Sequence, residues 1–119
     1  IRILSIAPGR CTARMSVRAE MANAHGTCHG GVLFTLGDST CGFACNFEAP
    51  QAVAAGASID FLAPAVVGDE LTAIATERWQ EGRSAVYDVS ITNQAGRLIA
   101  LLRCQSRRLR PRGPSPEAT

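Results

Sequence analysis

The chain has 119 residues, of which 46% are hydrophobic and 18% charged, and its formal net charge is +2. This length suits a single domain, and the composition excludes a chain that is disordered throughout. So small a charge does not by itself imply nucleic-acid binding, and no apolar run approaches the roughly 20 residues of a membrane span. All twelve basic residues are arginine, which excludes lysine Schiff-base chemistry and a P-loop lysine.

The pattern of cysteines indicates a reducing compartment. Their odd number and their positions inside apolar or patterned stretches do not fit a disulfide framework. We therefore expect reduced, buried thiols in a cytoplasmic protein, and the N-terminus shows no signal-peptide layout. The five are Cys11, Cys28, Cys41, Cys45 and Cys104.

The first third of the chain predicts a hairpin, a loop and a helix. Two apolar-rich runs, 1–7 and 11–17, flank Pro8-Gly9-Arg10, and the second run alternates as a half-buried strand does. The small, polar stretch 18–27 reads as a loop. From Gly30 to about Asn46 the apolar residues cover most of a helical surface, which predicts a helix buried nearly all round.

After Glu48-Ala49-Pro50, which ends the predicted helix, the chain returns to strand patterns. Strands are predicted over 53–62, 70–79, 84–93 and 97–109, and the tight turns between the last three make an antiparallel meander.

The count of five or six strands and one long helix predicts an α+β architecture, an antiparallel sheet wrapped around a central helix. Residues 1–110 form one predicted domain, and the low-complexity tail 111–119 is expected to be disordered. Burying the helix and the open sheet edges requires a second chain, so we expect at least a dimer.

Two glycines at the predicted helix start form the first candidate site. Backbone N–H groups at a helix N-terminus have no intrahelical partner and lie at the positive end of the helix dipole. Gly30 and Gly31 would leave these groups open to an anion or a polarised carbonyl oxygen. The plainer interpretation is that both glycines only permit a tight entry into the helix.

Asp38 is the second candidate, because it is the only charged residue between Gly30 and Asn46. A carboxylate in an apolar helix is paired or used, which makes it a candidate general base or nucleophile. Hydrogen bonding to backbone or to arginine is the structural alternative. Gly30 and Asp38 are about 12 Å apart along a helix, too far to touch one carbonyl. A dimer two-fold could bring Gly30 of one chain to Asp38 of the other.

Other chemistry has weak support. His25, Cys28 and His29 do not follow a standard zinc spacing, and Cys41 lies too far along the helix to share a tetrahedral site with them. A nucleophilic cysteine with His29 as base has no triad pattern behind it.

Arginines also cluster at the C-terminal end. They would be a solvated strand edge and tail or, alternatively, contacts for the phosphates of a nucleotide-bearing ligand. With aromatic residues at only 5%, no platform for stacking nucleic-acid bases is visible. The cluster comprises Arg103, Arg107, Arg108, Arg110 and Arg112.

The run from Asn23 to Asp38, which contains His29-Gly30-Gly31, resembles the hot-dog-fold acyl-CoA thioesterases, and most closely the phenylacetic acid degradation (PaaI-type) group. Ala44-Cys45-Asn46, 58–64, 68–73 and 86–89 also resemble that group, so the similarity covers nearly the whole chain.

The resemblance implies hydrolysis of an aryl- or arylacetyl-CoA thioester by a double-hot-dog dimer, usually paired into a tetramer, without metal or cofactor. It implies that the Gly30 N–H polarises the thioester carbonyl while Asp38 of the partner subunit activates water or attacks directly. Asn23 and His29 would hold the loop and orient water or thioester.

Substrate-binding positions are expected at Gly31, Leu33 and Phe61. Ala63 stands where similar sequences often carry a basic residue, so Arg83 or the C-terminal arginines would have to hold the CoA phosphates. The alternative function is a non-catalytic acyl-CoA-binding module. A dehydratase is disfavoured, because His29 lies in the loop and not where a dehydratase histidine would act on the acyl chain.

Overall fold

The computed structural model describes residues 1–47 and 51–110, which contain six strands, a short 3-10 turn and one α-helix. The elements are β1 (Arg2–Ala7), β2 (Arg10–Ser16), the 3-10 turn (Ala19–Met21), α1 (Gly30–Cys45), β3 (Ala52–Phe61), β4 (Glu70–Glu81), β5 (Ser84–Thr92) and β6 (Leu98–Arg108). The predicted helix end at 48–50 and the predicted disordered tail at 111–119 lie outside the described residues.

The six strands form one antiparallel sheet in the order β1-β2-β4-β5-β6-β3, with α1 packed against it. This confirms the predicted α+β architecture of a sheet wrapped around one helix. The order places β1 and β3 at the two edges. β3 is exposed along most of its length, so its outer edge is open to another strand.

The core lies between the helix and the concave face of the sheet. Alternate residues of β5, from Ala85 to Ile91, are buried, as the period of a half-buried strand requires. Gly37 lets the helix approach the sheet closely, because a Cβ there would stand 3.2 Å from Cδ1 of Leu102. The helix faces the sheet with Leu33, Leu36, Cys41 and Ala44, all buried.

Within the single chain the predicted burial of the helix is incomplete. Phe43 on the helix is 47% exposed and Phe47, just after it, is 43% exposed. The sheet covers one side of α1 only, which leaves an apolar surface on the other side.

All five cysteines are buried free thiols, as the sequence predicted. The C-terminal arginines differ among themselves: Arg103 and Arg107 are exposed, but Arg108 is buried, so a fully solvated strand end is wrong for Arg108. Its backbone N–H donates to the carbonyl of Arg83, which fixes the end of β6 to the β4–β5 turn. In the described part of the chain, no helix is both long and apolar enough to cross a membrane.

Candidate active site

The loop that leads into the helix is held by the side chain of Asn23. Its Oδ1 accepts the backbone N–H groups of His25, at 2.9 Å, and of Thr27, at 3.1 Å. The backbone N–H of Asn23 also donates to the carbonyl of Thr27, and Gly26 completes the turn with a φ of +78°. Such Asx turns position the chain locally, so Asn23 fixes the approach to the helix.

We expect Asn23→Ala to lower the free energy of unfolding by about 1–2 kcal/mol, because two backbone donors lose their acceptor. Asn93→Ala is a matched control: its Oδ1 accepts the N–H groups of Ala95 and Arg97, at 3.0 and 2.9 Å, in a turn of the same pattern. Urea unfolding should show similar losses in both variants, whereas turnover should fall only in Asn23→Ala. Equal turnover in the two would remove Asn23 from the site.

His29 ends this loop as the N-cap of α1. Its backbone N–H donates to the carbonyl of Met21 at 2.9 Å, and its own carbonyl accepts the N–H groups of Val32 and Leu33. Its side chain is exposed and makes no capping hydrogen bond. The first helical hydrogen bonds are therefore donated by residues after Gly30 and Gly31, which leaves the N–H groups of both glycines in the dipole-positive first turn.

A cleft of about 520 Å³ opens at Gly30. Leu33 and Phe61, both predicted to bind substrate, line it together with Gly30 and the segment 62–65. The ring of Phe61 lies against the glycine, since its Cζ is 2.8 Å from where a Cβ on Gly30 would stand. Gly31 is not among the lining residues and faces open space beside the cleft. At position 30, therefore, only a glycine fits beneath the Phe61 ring in its present position.

Asp38 faces a different cavity. This cavity measures about 110 Å³ and lies between α1, β3 and β6. The structure therefore does not bring Gly30 and Asp38 together within one chain. Its lining includes Cys41, Cys45, Asn46, Ala52, Cys104 and Ser106.

Three thiols surround the Asp38 cavity, an arrangement that the sequence analysis missed. Hydrogen bonds with Cys104 and Cys45, and burial, raise the pKa of Cys41, while the hydrogen bond from Cys41 lowers the pKa of Cys45 and of Cys104. The four-residue spacing of Cys41 and Cys45 was a readable signal for one helix face, whereas Cys104 joins them only through the fold. In residues 1–47 and 51–110, no group of His, Cys, Asp or Glu is arranged to hold a metal ion.

Arg83 and Gly30 lie at opposite ends of the sheet within one chain. Nη2 of Arg83 donates to the carbonyl of Leu109 at 2.6 Å, beyond the end of β6. Phe61, which marks the Gly30 end, pairs with Ala100 near the start of β6. The eight residue-to-residue steps from Ala100 to Arg108 span roughly 26 Å of strand. Arg83 therefore cannot serve the Gly30 cleft of the same chain.

A six-stranded antiparallel sheet wrapped around a single helix is the hot-dog fold. Residues 25–100 match the Thioesterase superfamily. The chain belongs to the hot-dog acyl-CoA thioesterases, in the group that includes PaaI.

Three comparisons illustrate this membership. The acyl-coenzyme A thioesterase PaaI of Escherichia coli K12 is 44% identical over 109 residues, covering 92% of this chain and 78% of that protein. The structure of E. coli PaaI, from the phenylacetic acid degradation operon, superposes with a TM-score of 0.89 at 43% identity, covering 92% of this chain and 79% of that one. Human acyl-coenzyme A thioesterase 13 is 36% identical over 103 residues, covering 84% of this chain and 74% of that protein.

A hypothetical thioesterase from Streptococcus pneumoniae TIGR4, solved with coenzyme A, superposes with a TM-score of 0.88 at 28% identity and covers 94% of this chain and 90% of that one. The same fold thus carries coenzyme A in a solved relative.

Proposed function

We propose that this chain hydrolyses aryl- or arylacetyl-CoA thioesters, such as phenylacetyl-CoA or hydroxyphenylacetyl-CoA, to the free acid and CoA. Membership of the acyl-CoA thioesterases makes it a hydrolase of thioester bonds. The aryl specificity is supported by the 44% identity to E. coli PaaI and by the phenylacetic acid degradation operon from which that structure comes.

The Gly30 cleft has the geometry to polarise a carbonyl. A thioester oxygen placed at the first turn of α1 would accept the Gly30 N–H at the positive end of the helix, with Gly31 adding to the field. The segment around Leu33 and Phe61 gives the acyl group an apolar wall. Asn23 and the backbone of His29 hold this first turn in place.

The reaction then needs one carboxylate. Asp38 takes a proton from water, the water oxygen bonds to the acyl carbon, and the C–S bond breaks to release CoA as a thiolate. In the alternative route Asp38 attacks the carbonyl itself and water cleaves the resulting anhydride. A thiolate leaves readily, so neither route requires a metal or a cofactor.

The separation of Gly30 and Asp38 into two cavities carries the proposal that the site is shared between two copies. The open edge of β3 and the exposed Phe43 and Phe47 provide the surface for a second copy. A two-fold axis would run the two helices antiparallel and bring the partner's carboxylate to Gly30. The same axis would bring the partner's Arg83 end toward the cleft, where it would add positive charge.

A homo-oligomer built as a dimer of such dimers is the assembly we propose. The free state of all five thiols supports a reducing, cytoplasmic environment.

The proposed activity is tested by measuring CoA release, with a thiol reagent, over a panel running from acetyl-CoA to phenylacetyl- and hydroxyphenylacetyl-CoA. We expect kcat/KM to be highest for the arylacetyl esters. Highest kcat/KM for a short alkyl ester would overturn the aryl specificity and leave the thioesterase. Saturable binding without release of CoA from any ester would instead identify an acyl-CoA-binding module.

A further inference from the structure

A further polar cavity lies at the edge of the sheet formed by β1 and β2. It measures about 370 Å³ and contains three arginines, one of them beyond the end of β2. From the sequence, phosphate contacts were expected at Arg83 and the C-terminal arginines and not at these three. The lining residues are Ile1, Arg2, Arg14, Met15, Ser16, Arg18, Met21 and Glu70.

The charges in this cavity are unbalanced. Arg2 and Arg14 are direct partners across the β1–β2 pair, a placement in which like charges repel. Nε of Arg14 is buried and has no hydrogen-bond partner among the described residues. The one carboxylate in the lining, on Glu70, accepts the hydroxyl of Ser16 and balances only one of the three arginine charges.

The third arginine, Arg18, pairs through Nε with Glu20 at 2.9 Å, and both side chains are well exposed. Exposed pairs of this kind are weak, so Arg18 keeps its ability to bind an anion. A repelling arginine pair and a buried orphan donor are best satisfied by an anion with several oxygens. Arginine binds phosphate through its planar fork of N–H donors, which makes phosphate the fitting class.

A backbone hydrogen bond links the rim of this cavity to the start of the helix. Met21, at its rim, accepts with its carbonyl the N–H of His29, the residue that immediately precedes Gly30. Along the chain, Arg14 lies on β2 and Arg18 lies in the loop that leads from β2 to the first turn of the helix. A ligand that is apolar at one end and phosphorylated at the other could span this loop.

We propose that Arg2, Arg14 and Arg18 form the binding site for phosphate groups of the CoA half of the substrate, an inference that rests on the proposed function. The cavity would bind the phosphates in place of the basic residue that similar sequences often carry at position 63, where this chain has Ala63. Arg83 of the same chain would not contribute to this binding.

The test is the variant Arg14→Gln, with Arg2→Gln as a second variant. Arg10→Gln is the matched control, because Arg10 lies on the same strand and loses the same charge but is exposed and does not line the cavity. We expect KM for phenylacetyl-CoA to rise about tenfold or more in both test variants, as loss of a charged hydrogen bond implies. Hydrolysis of phenylacetyl-pantetheine, which has no phosphate, should be unchanged.

Calorimetry with adenosine 3′,5′-bisphosphate separates this proposal from the thioesterase itself. Weaker binding in Arg14→Gln and unchanged binding in Arg10→Gln would support the phosphate site even if no ester were hydrolysed. Hydrolysis with the same KM for the CoA ester in wild type and both test variants would overturn the phosphate site and leave the proposed function standing. Thermal unfolding of each variant checks that the fold is retained.

Discussion

Replacing Asp38 with asparagine is expected to lower kcat for the preferred CoA ester by about 10²–10⁴-fold, the usual contribution of a general base. The amide keeps the size of the carboxylate but can neither take a proton from water nor attack a carbonyl. The cavity around Asp38 should therefore stay intact. Thiol release gives the rate, and size-exclusion chromatography should show an unchanged oligomer.

Asp88→Asn is the control for Asp38→Asn, because Asp88 pairs with Arg103 at 2.7 Å on the outer face of the sheet. That variant should lose some stability and keep its turnover. Near-wild-type kcat in Asp38→Asn would contradict the role given to Asp38. Single turnovers in ¹⁸O-labelled water add a further distinction, since label recovered in the Asp38 side chain identifies direct attack.

Removing the Gly30 N–H is expected to lower kcat by about 10²–10³-fold, as loss of one oxyanion donor does. Proline suits this position, which is the first of the helix and follows His29 at φ −61° and ψ 139°. Phe61 must be shortened to make room, because its ring stands 2.8 Å from a Cβ at Gly30. The variant is therefore the double substitution Gly30→Pro with Phe61→Ala.

Its control is Gly30→Ala with Phe61→Ala, which has the same shortened residue 61 but keeps the N–H. Similar rates in the two double variants would show that the N–H does not act.

Mixed oligomers of Asp38→Asn chains and Gly30→Pro/Phe61→Ala chains, isolated with two tags, test whether the site is shared. We expect them to regain turnover, since one site then combines an intact Gly30 with an intact Asp38. Mixed oligomers as inactive as their parents would place both residues in one chain.

Local sequence pattern was enough to find the elements of this fold. The period-2 alternation in 84–93 and the turn at Pro8-Gly9 placed β5 and the first hairpin within a residue or two, because these signals depend on neighbours in sequence. The position of β3 beside β6 could not be found this way, since that pairing joins segments that no local period connects. The apolar composition of the helix already called for a second chain to bury it, but which side the sheet leaves exposed, with Phe43 on it, depends on the fold.

The candidate site was predictable where helix geometry alone decides it. A rise of about 1.5 Å per residue already separated Gly30 from Asp38. The arginine cavity was not predictable, because it depends on a bulge. The register of β1 against β2 shifts between Ile3 and Ser5, and this shift places Arg2 opposite Arg14. Without the extra residue Arg2 would face Met15, and the two charges would not meet.

The turn at Asn23 is built from its own chain, whereas in the proposed shared site the carboxylate would come from the partner. An isolated copy would thus have the Gly30 N–H donor in position but no carboxylate beside it to act as a base. Activity per molecule would then follow self-association: it would fall on dilution as copies separate and recover on concentration. The unpaired edge of β3 would act as a concentration-dependent switch as well as a seam between subunits.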